Sequence, residues 1–344
     1  MRVRRLRTLV CVLAMLFALA PIRAGCASDA VTQDEASELL DAQSRSEYAL
    51  LIGVDHFVSR ADTYPSSTNN VNAMQEVFQG ALNPFRAIIV PPNPVTTVEQ
   101  LTALVQKTFG AAGKNDVCYL YLSTHGVYDP ASGQEPLLLL SDGQTENGIT
   151  PAQLEAAFDG ILGTKVIILD ACNSGAFIGK GLPSLPQEVH FLGDDFKVLT
   201  SSGALEESWY WSVDDQNESG MAGQGSFYFT QALAQSLSAA YGYPADQNRD
   251  GCMVLSELYE YLVLNHAAST PQVYPQSDDF VVFRYDVSQP LPTGLARAPI
   301  MDVTFSGTTL SRSSRQITIE FIAMRPVRVA YQVVYQLSLI HISE

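Results

Sequence analysis

Cys172 and His125 each stand just past an apolar run of strand length. Cys172 follows the run KVIILD at Lys165–Asp170 and leads into small, polar residues, CNSG. His125 follows VCYLYLS at Val117–Ser123 and is itself followed by Gly126. A thiol and an imidazole within reach of one another make a nucleophile and its acid–base partner. For that pairing the two strands must lie close together and end at one edge. Runs that are apolar along most of their length are buried on both faces, as central strands of a parallel sheet are. In open α/β sheets the site lies outside the carboxyl ends of the strands, where both residues would emerge.

The rest of the chain supplies such a sheet. Tyr48–Val54 (YALLIGV) reads as the first strand, and Val71, Met74, Val77, Phe78 and Leu82 have helical spacing over Val71–Leu82. Ala87–Val90 is a short strand stopped by Pro91 and Pro92. Thr97–Phe109 is an amphipathic helix with Thr96 or Thr97 as its N-cap. A hairpin-like stretch surrounds Leu137–Leu140, and Thr150 caps a helix over Pro151–Phe158. After the Cys172 strand come a strand at Phe196–Thr200, helices at Phe227–Ala240 and Leu255–Asn265, and a final strand at Asp279–Tyr285. Strand and helix alternate with short connections, which predicts an α/β fold: a doubly wound, mostly parallel sheet with helices on both faces.

At 344 residues the chain is long enough for a full α/β core and a small second module. Its 47% hydrophobic and 9% aromatic content is that of a globular protein. A net charge of −16 speaks against nucleic acid, whose phosphates attract Lys and Arg. Residues 1–26 read as an export signal: Arg2, Arg4, Arg5 and Arg7 precede the apolar run Thr8–Ala20, which is too short to span a bilayer. Arg23–Cys26 (RAGC) resembles a bacterial lipobox with Arg23 in a usually apolar place, and Cys26 would then carry a lipid anchor. The expected location is extracytoplasmic: secreted, periplasmic or lipid-anchored. Residues 27–47 read as a linker or pro-region, 48–287 as the main domain and 288–299, with three prolines, as a second linker. Residues 300–344 switch to period-two patterning, a small C-terminal β module whose last residues, Leu337–Glu344, resemble translated adapter sequence. Of five cysteines, Cys11 and Cys26 belong to the signal. Cys118, Cys172 and Cys252 lack the paired spacing of a disulfide framework or a zinc site. Cys118 reads as a core residue, and Cys172 as the one kept for reaction.

The pair STHG and DACNSG, with roughly fifty residues between His and Cys, is the arrangement found in caspases. Over about Tyr48–Tyr285 the chain resembles the caspase-like clan of cysteine peptidases, which includes metacaspases, legumains, clostripain-like enzymes and gingipains. Gly53-Val54-Asp55, the NNVNAM helix start, SSGALEES and GSFYFTQAL carry the resemblance further. Asp170-Ala171-Cys172-Asn173-Ser174-Gly175 is closer to the metacaspase form than to the Gln-Ala-Cys-x-Gly of caspases. The resemblance implies the caspase-like variant of the fold and a Cys–His dyad that cleaves peptide bonds without a cofactor. Cys172 would attack the scissile carbonyl, and His125 would protonate the leaving amine and help activate the deacylating water. Backbone N–H groups of Gly126 and Cys172 would hold the oxyanion, with Gly126 and Gly175 letting backbone approach substrate. Substrate binding would fall to Asp170, Ser201 and Ser202. Asp170, two before the nucleophile, would pair with Arg or Lys before the cut. LTSSGALEESWY also resembles the legumain segment, so Asn preference and transpeptidation stay open. So does a different class: a caspase-like scaffold serving as a surface binding protein. No third triad residue is evident, and His56, His190, His266 and His341 read as surface or loop residues.

One further motif stands apart. DQNRDGCMVLSE at Asp246–Glu257 fits the EF-hand calcium loop D-x-[DN]-x-[DN]-G-x₅-E. Asp246, Asn248 and Asp250 would offer side-chain oxygens, Cys252 its carbonyl and Glu257 two oxygens to a structural Ca²⁺. The alternative is an Asx-rich turn capping the next helix. Protein or peptide substrates are the expected partners.

Overall fold

The computed structural model describes residues 45–182, 189–212, 224–265 and 268–289, and the backbone of 300–305 and 319–323. The expected export signal, Cys11, Cys26, most of the first linker, His266 and His341 lie outside the described residues.

The most apolar runs assemble a six-stranded sheet. β1 (Glu47–Gly53) is flanked by β2 (Ala87–Ile89) and β3 (Val117–Ser123); β7 (Thr164–Asp170) pairs with β3, and β8 (Phe196–Thr200) with β7, all parallel. Alternate residues of β1 and β3 enter two separate cores. Leu50, Ile52, Leu120 and Leu122 face α2 (Val98–Phe109) and α3 (Pro151–Ala156). Ala49, Leu51, Tyr119 and Tyr121 face α1 (Ser66–Gln79), α4 (Tyr228–Ser236) and α5 (Leu255–Asn265). Burial on both faces is why these strands have no polar side to their pattern. The expected doubly wound sheet, with helices on both faces, is the architecture observed.

Several boundaries moved for local reasons. α1 starts at Ser66, ahead of its apolar stripe. Pro65 offers no side-chain cap, and the buried Asp55 carboxylate instead accepts from the Ser67 N–H (2.9 Å) and the Thr68 N–H (2.8 Å). Thr97, not Thr96, caps α2 by accepting from the Gln100 N–H. Thr150 and Gln153 form a reciprocal capping box at α3. The predicted Phe227–Ala240 helix divides, because the Ser238 side chain accepts from the Ala240 N–H and starts a separate 3₁₀ turn at Ala239–Tyr241.

The hairpin expected around Leu137–Leu140 is present, while several shorter strands escaped the sequence pattern. β4 (Gly126–Val127), β5 (Leu137–Ser141) and β6 (Glu146–Ile149) form an antiparallel side sheet beside His125. β9 (Tyr210–Ser212) pairs with β10 (Gly225–Phe227). β12 (Gln272–Tyr274), between Pro271 and Pro275, closes the main sheet as an antiparallel edge on β8. The expected final strand, now β13 (Val281–Arg284), does not join that sheet; it pairs with β11 (Cys252–Val254). Beyond it, β14 (Ile300–Phe305) and β15 (Ile319–Ala323) pair antiparallel. Among the described residues no helix is long and apolar enough to cross a membrane.

Candidate active site

The register of β3 on β7 sets Ser123 against Asp170, so the two strands end level. The Thr124 N–H continues the ladder to the Asp170 carbonyl (3.1 Å). His125 and Cys172 follow at the same edge. A Cβ on Gly126 would collide with the Cys172 carbonyl, so the two motifs touch through bare backbone.

His125 is held from three sides. The Leu139 N–H donates to its carbonyl (2.9 Å), and Phe57 lies against its ring with centroids 4.5 Å apart. Its Nε2 stands 2.9 Å from the Ala61 carbonyl. A carbonyl only accepts, so Nε2 carries the proton and Nδ1 remains as the basic nitrogen. Burial pushes the imidazole pKa below its ordinary value. This partner of the imidazole is a main-chain carbonyl, which residue types could not reveal, since every residue has one.

Cys172 sits on a turn that the following strand braces. Asn173 adopts a left-handed φ of 57°, which Asn tolerates better than most residues. Its N–H donates to the Glu206 carbonyl (2.8 Å) and its side-chain amide to the Ala204 carbonyl (2.9 Å). Ser201 and Ser202 are fully buried, and both hydroxyls donate to the Ala171 carbonyl (3.1 and 3.0 Å). They brace the nucleophile turn and do not line an open pocket, a correction to their expected contact with substrate. The Gly175 N–H is likewise taken, by the Ser202 carbonyl (2.9 Å), so this glycine serves packing and not the oxyanion.

Gly126 fits the oxyanion role. The bond from the Leu139 N–H to the His125 carbonyl makes Gly126 and Leu138 a non-hydrogen-bonded pair of the β4–β5 ladder. The Gly126 N–H therefore points out of that ladder, beside the Cys172 backbone.

Asp170 is fully buried one residue before Ala171. Oδ1 accepts from the Ser208 hydroxyl (2.9 Å), and Oδ2 from the Thr230 hydroxyl (2.6 Å) and N–H (3.2 Å). Burial raises its pKa to about 6, opposed by those hydrogen bonds. Among the described residues no ion pair includes it. Ser208, buried, also meets the nucleophile: its N–H donates to Sγ (3.3 Å), and the thiol faces its carbonyl (3.6 Å). Burial holds the Cys172 pKa above that of an ordinary thiol. No hydrogen bond joins it to His125 among the described residues, and burial disfavours the charged form of both groups.

The remaining expected sites lie elsewhere. His190 pairs with Glu155 (2.8 Å) and is largely buried, whereas exposed His56 pairs with Asp62 (2.8 Å) and stacks on Tyr64. In the Asp246–Glu257 loop, Arg249 and Gly251 have φ of 62° and 85°, and the buried Asp246 carboxylate accepts from their N–H groups and from the Tyr285 hydroxyl. Asn248, Asp250 and Glu257 accept from the N–H groups of Asp250, Cys252 and Val254. Among the described residues no group of three or more His, Cys, Asp or Glu is placed to hold a metal ion. Cys118 and Cys172 are free thiols.

Comparison with known proteins identifies a family. The caspase-domain profile matches residues 46–283. Among solved structures, caspase-1 from Spodoptera frugiperda is 19% identical, with a TM-score of 0.41, over 67% of this chain and 86% of that one. Protein GSU0716 from Geobacter sulfurreducens is 14% identical, with a TM-score of 0.44, over 67% of this chain and 92% of that one. No curated protein matches. With the profile spanning both motifs and the whole central sheet, the chain belongs to the caspase-domain family of cysteine peptidases.

Proposed function

We propose that the protein is an exported cysteine endopeptidase that uses Cys172 and His125 to cleave after Arg or Lys. The observation that supports it is the level ending of β3 and β7, from which His125 and Cys172 follow at the same sheet edge. His125 Nδ1 takes the thiol proton as Sγ attacks the scissile carbonyl, and the N–H groups of Gly126 and Cys172 receive the oxyanion. The proton passes to the leaving amine as the peptide bond breaks. Water, deprotonated by His125, then releases the acid from the thioester. Asp170 supports the choice of a cationic substrate residue: it is a buried carboxylate beneath the nucleophile with only neutral partners.

The test is a fluorogenic peptide panel varying the residue before the cut. Wild type should prefer Arg and Lys; Cys172→Ala and His125→Ala should each abolish turnover while keeping the fold. Cleavage chiefly after Asn would favour the legumain-like reading, and transfer to added amines the transpeptidase. A folded wild type with no turnover of any peptide would point to the scaffold.

We also propose a structural Ca²⁺ in the Asp246–Glu257 loop. Glu257 supports it: burial raises its carboxyl pKa, and the charges of Asp246 and Asp250 raise it further. A cation would relieve that repulsion, with Glu257 exchanging the Val254 N–H for the ion.

A further inference from the structure

Ser208 holds two groups that the proposed reaction needs free. Its hydroxyl occupies Asp170 Oδ1, and its N–H and carbonyl bracket the Cys172 sulfur. In that position the thiol proton faces a carbonyl instead of His125, and a sulfur lone pair accepts an N–H instead of meeting a substrate. One residue thus covers the specificity carboxylate with its side chain and the nucleophile with its main chain.

The segment is anchored on both sides of Ser208 but not by it. Before it, the Glu206 carboxylate accepts from the N–H groups of Gly203 and Thr270. After it, the Trp209 carbonyl accepts from the Tyr228 N–H (3.0 Å), and β9 pairs with β10. Leu205, just before the first anchor, and Trp209, at the second, are about half exposed, 50% and 53%, so the outer side of the segment faces solvent. A turn of the backbone between Glu207 and Trp209 can lift Ser208 without breaking either anchor.

We propose that Ser208 is a latch that couples recognition of the substrate's cation to release of the nucleophile. This rests on the reading of Asp170 as the Arg/Lys-binding carboxylate. A guanidinium or ammonium group makes a charge-assisted hydrogen bond to the carboxylate, stronger than the bond from a neutral hydroxyl. It displaces the Ser208 hydroxyl from Oδ1, and the main chain withdraws from Sγ as the side chain leaves. The thiol is then free to turn toward His125 Nδ1. A neutral side chain makes no such exchange, so it leaves the latch shut. Selectivity gained this way resembles induced fit, in which the correct substrate assembles its own catalytic site. Ser208 is on this account a positioning residue, acting through Cys172.

The experiment measures alkylation of Cys172 by iodoacetamide in the full chain, site by site, by mass spectrometry. Buried Cys118, whose thiol burial pushes up to about 12, is the internal control, since its alkylation marks unfolding. Agmatine, a small guanidinium compound, should raise the Cys172 rate several-fold in wild type. Butylurea, a neutral analogue, should not. Asp170→Asn should lose the response to agmatine. Ser208→Ala should react fast without agmatine and gain nothing from it, whereas Ser208→Thr, which restores a hydroxyl, should return the slow rate and the response. On peptides, Ser208→Ala should raise kcat for neutral residues before the cut more than for Arg. Agmatine that leaves wild-type alkylation unchanged, or slows it, would overturn the latch. If the peptide panel still shows Arg and Lys preference, only the latch falls; if that preference is absent, the reading of Asp170 falls with it.

Discussion

Asp170 sits in an environment far from that of an ordinary carboxylate, fully buried among hydroxyls. Its carboxyl titrates at about 6 in the folded protein against 3.8 for an unburied Asp. The folded state therefore binds this proton more tightly than the unfolded state does. Stability from this group is present at low pH and is lost as pH rises through the window from about 4 to 6. The shift corresponds to roughly 3 kcal/mol in full, at about 1.4 kcal/mol per unit, of which roughly 2.4 kcal/mol develops between pH 4 and pH 7. Asp170→Asn cannot titrate, so its stability relative to wild type should rise by about that amount over the same interval. Urea unfolding at the two pH values measures it; an unchanged difference would place the titrating group elsewhere. Gly126 makes a second prediction at this scale. Gly126→Ala forces a methyl group into the Cys172 carbonyl, so the β3 exit and the nucleophile turn must separate. A misplacement of even about 1 Å can cost roughly a hundredfold in rate, and kcat/KM of the variant should fall at least that far.

Elements are positioned by caps as much as by apolar stripes. The Asp55 carboxylate holds the start of α1 from the end of β1, inside the protein, while the Thr150 hydroxyl caps α3 at an exposed site. Thr150→Ala should cost about 1 kcal/mol and leave turnover unchanged. Asp55→Ala leaves the buried Ser67 N–H unpaired, at about 1–3 kcal/mol, and frees the partly buried Thr68 N–H as well. It should therefore destabilise more. It should also lower activity, because α1 carries Asn70, whose side chain bonds Ser123 at the end of the His125 strand (3.2 Å). Equal losses from the two substitutions would deny Asp55 this role.

At the scale of the whole molecule, the two cores flanking the sheet share no strand face, and the Asp246–Glu257 loop belongs to the one beneath α5. Gly251, with φ of 85°, lets that loop turn into β11, which pairs with β13. Calcium at millimolar concentration should raise Tm, because extracellular modules of this kind bind it at about 10⁻⁴ to 10⁻³ M. A ligand present at about one hundred times its Kd adds roughly 2.7 kcal/mol to the folded state. The same measurement on Asp250→Ala should show no shift. If wild type melts at one temperature in calcium and in chelator, the loop is an Asx-rich helix lead and nothing more.

Sequence alone was enough for the central sheet, because β1, β3 and β7 are buried on both faces and their patterns have no other explanation. It was enough also to place Cys172 and His125 just past the carboxyl ends of β7 and β3, since the apolar runs end there. It did not disclose β9, β10 and β12, each three residues long and defined by its partner, nor the pairing of β13 with β11. It misjudged Ser201 and Ser202, whose hydroxyls turn inward to Ala171. The Ala61 carbonyl and the hold of Ser208 on both Asp170 and Cys172 were likewise decided by tertiary structure. Backbone groups and short hydroxyl side chains carry no pattern of their own; what they bond to is set by which distant segments the fold brings within 3 Å or so.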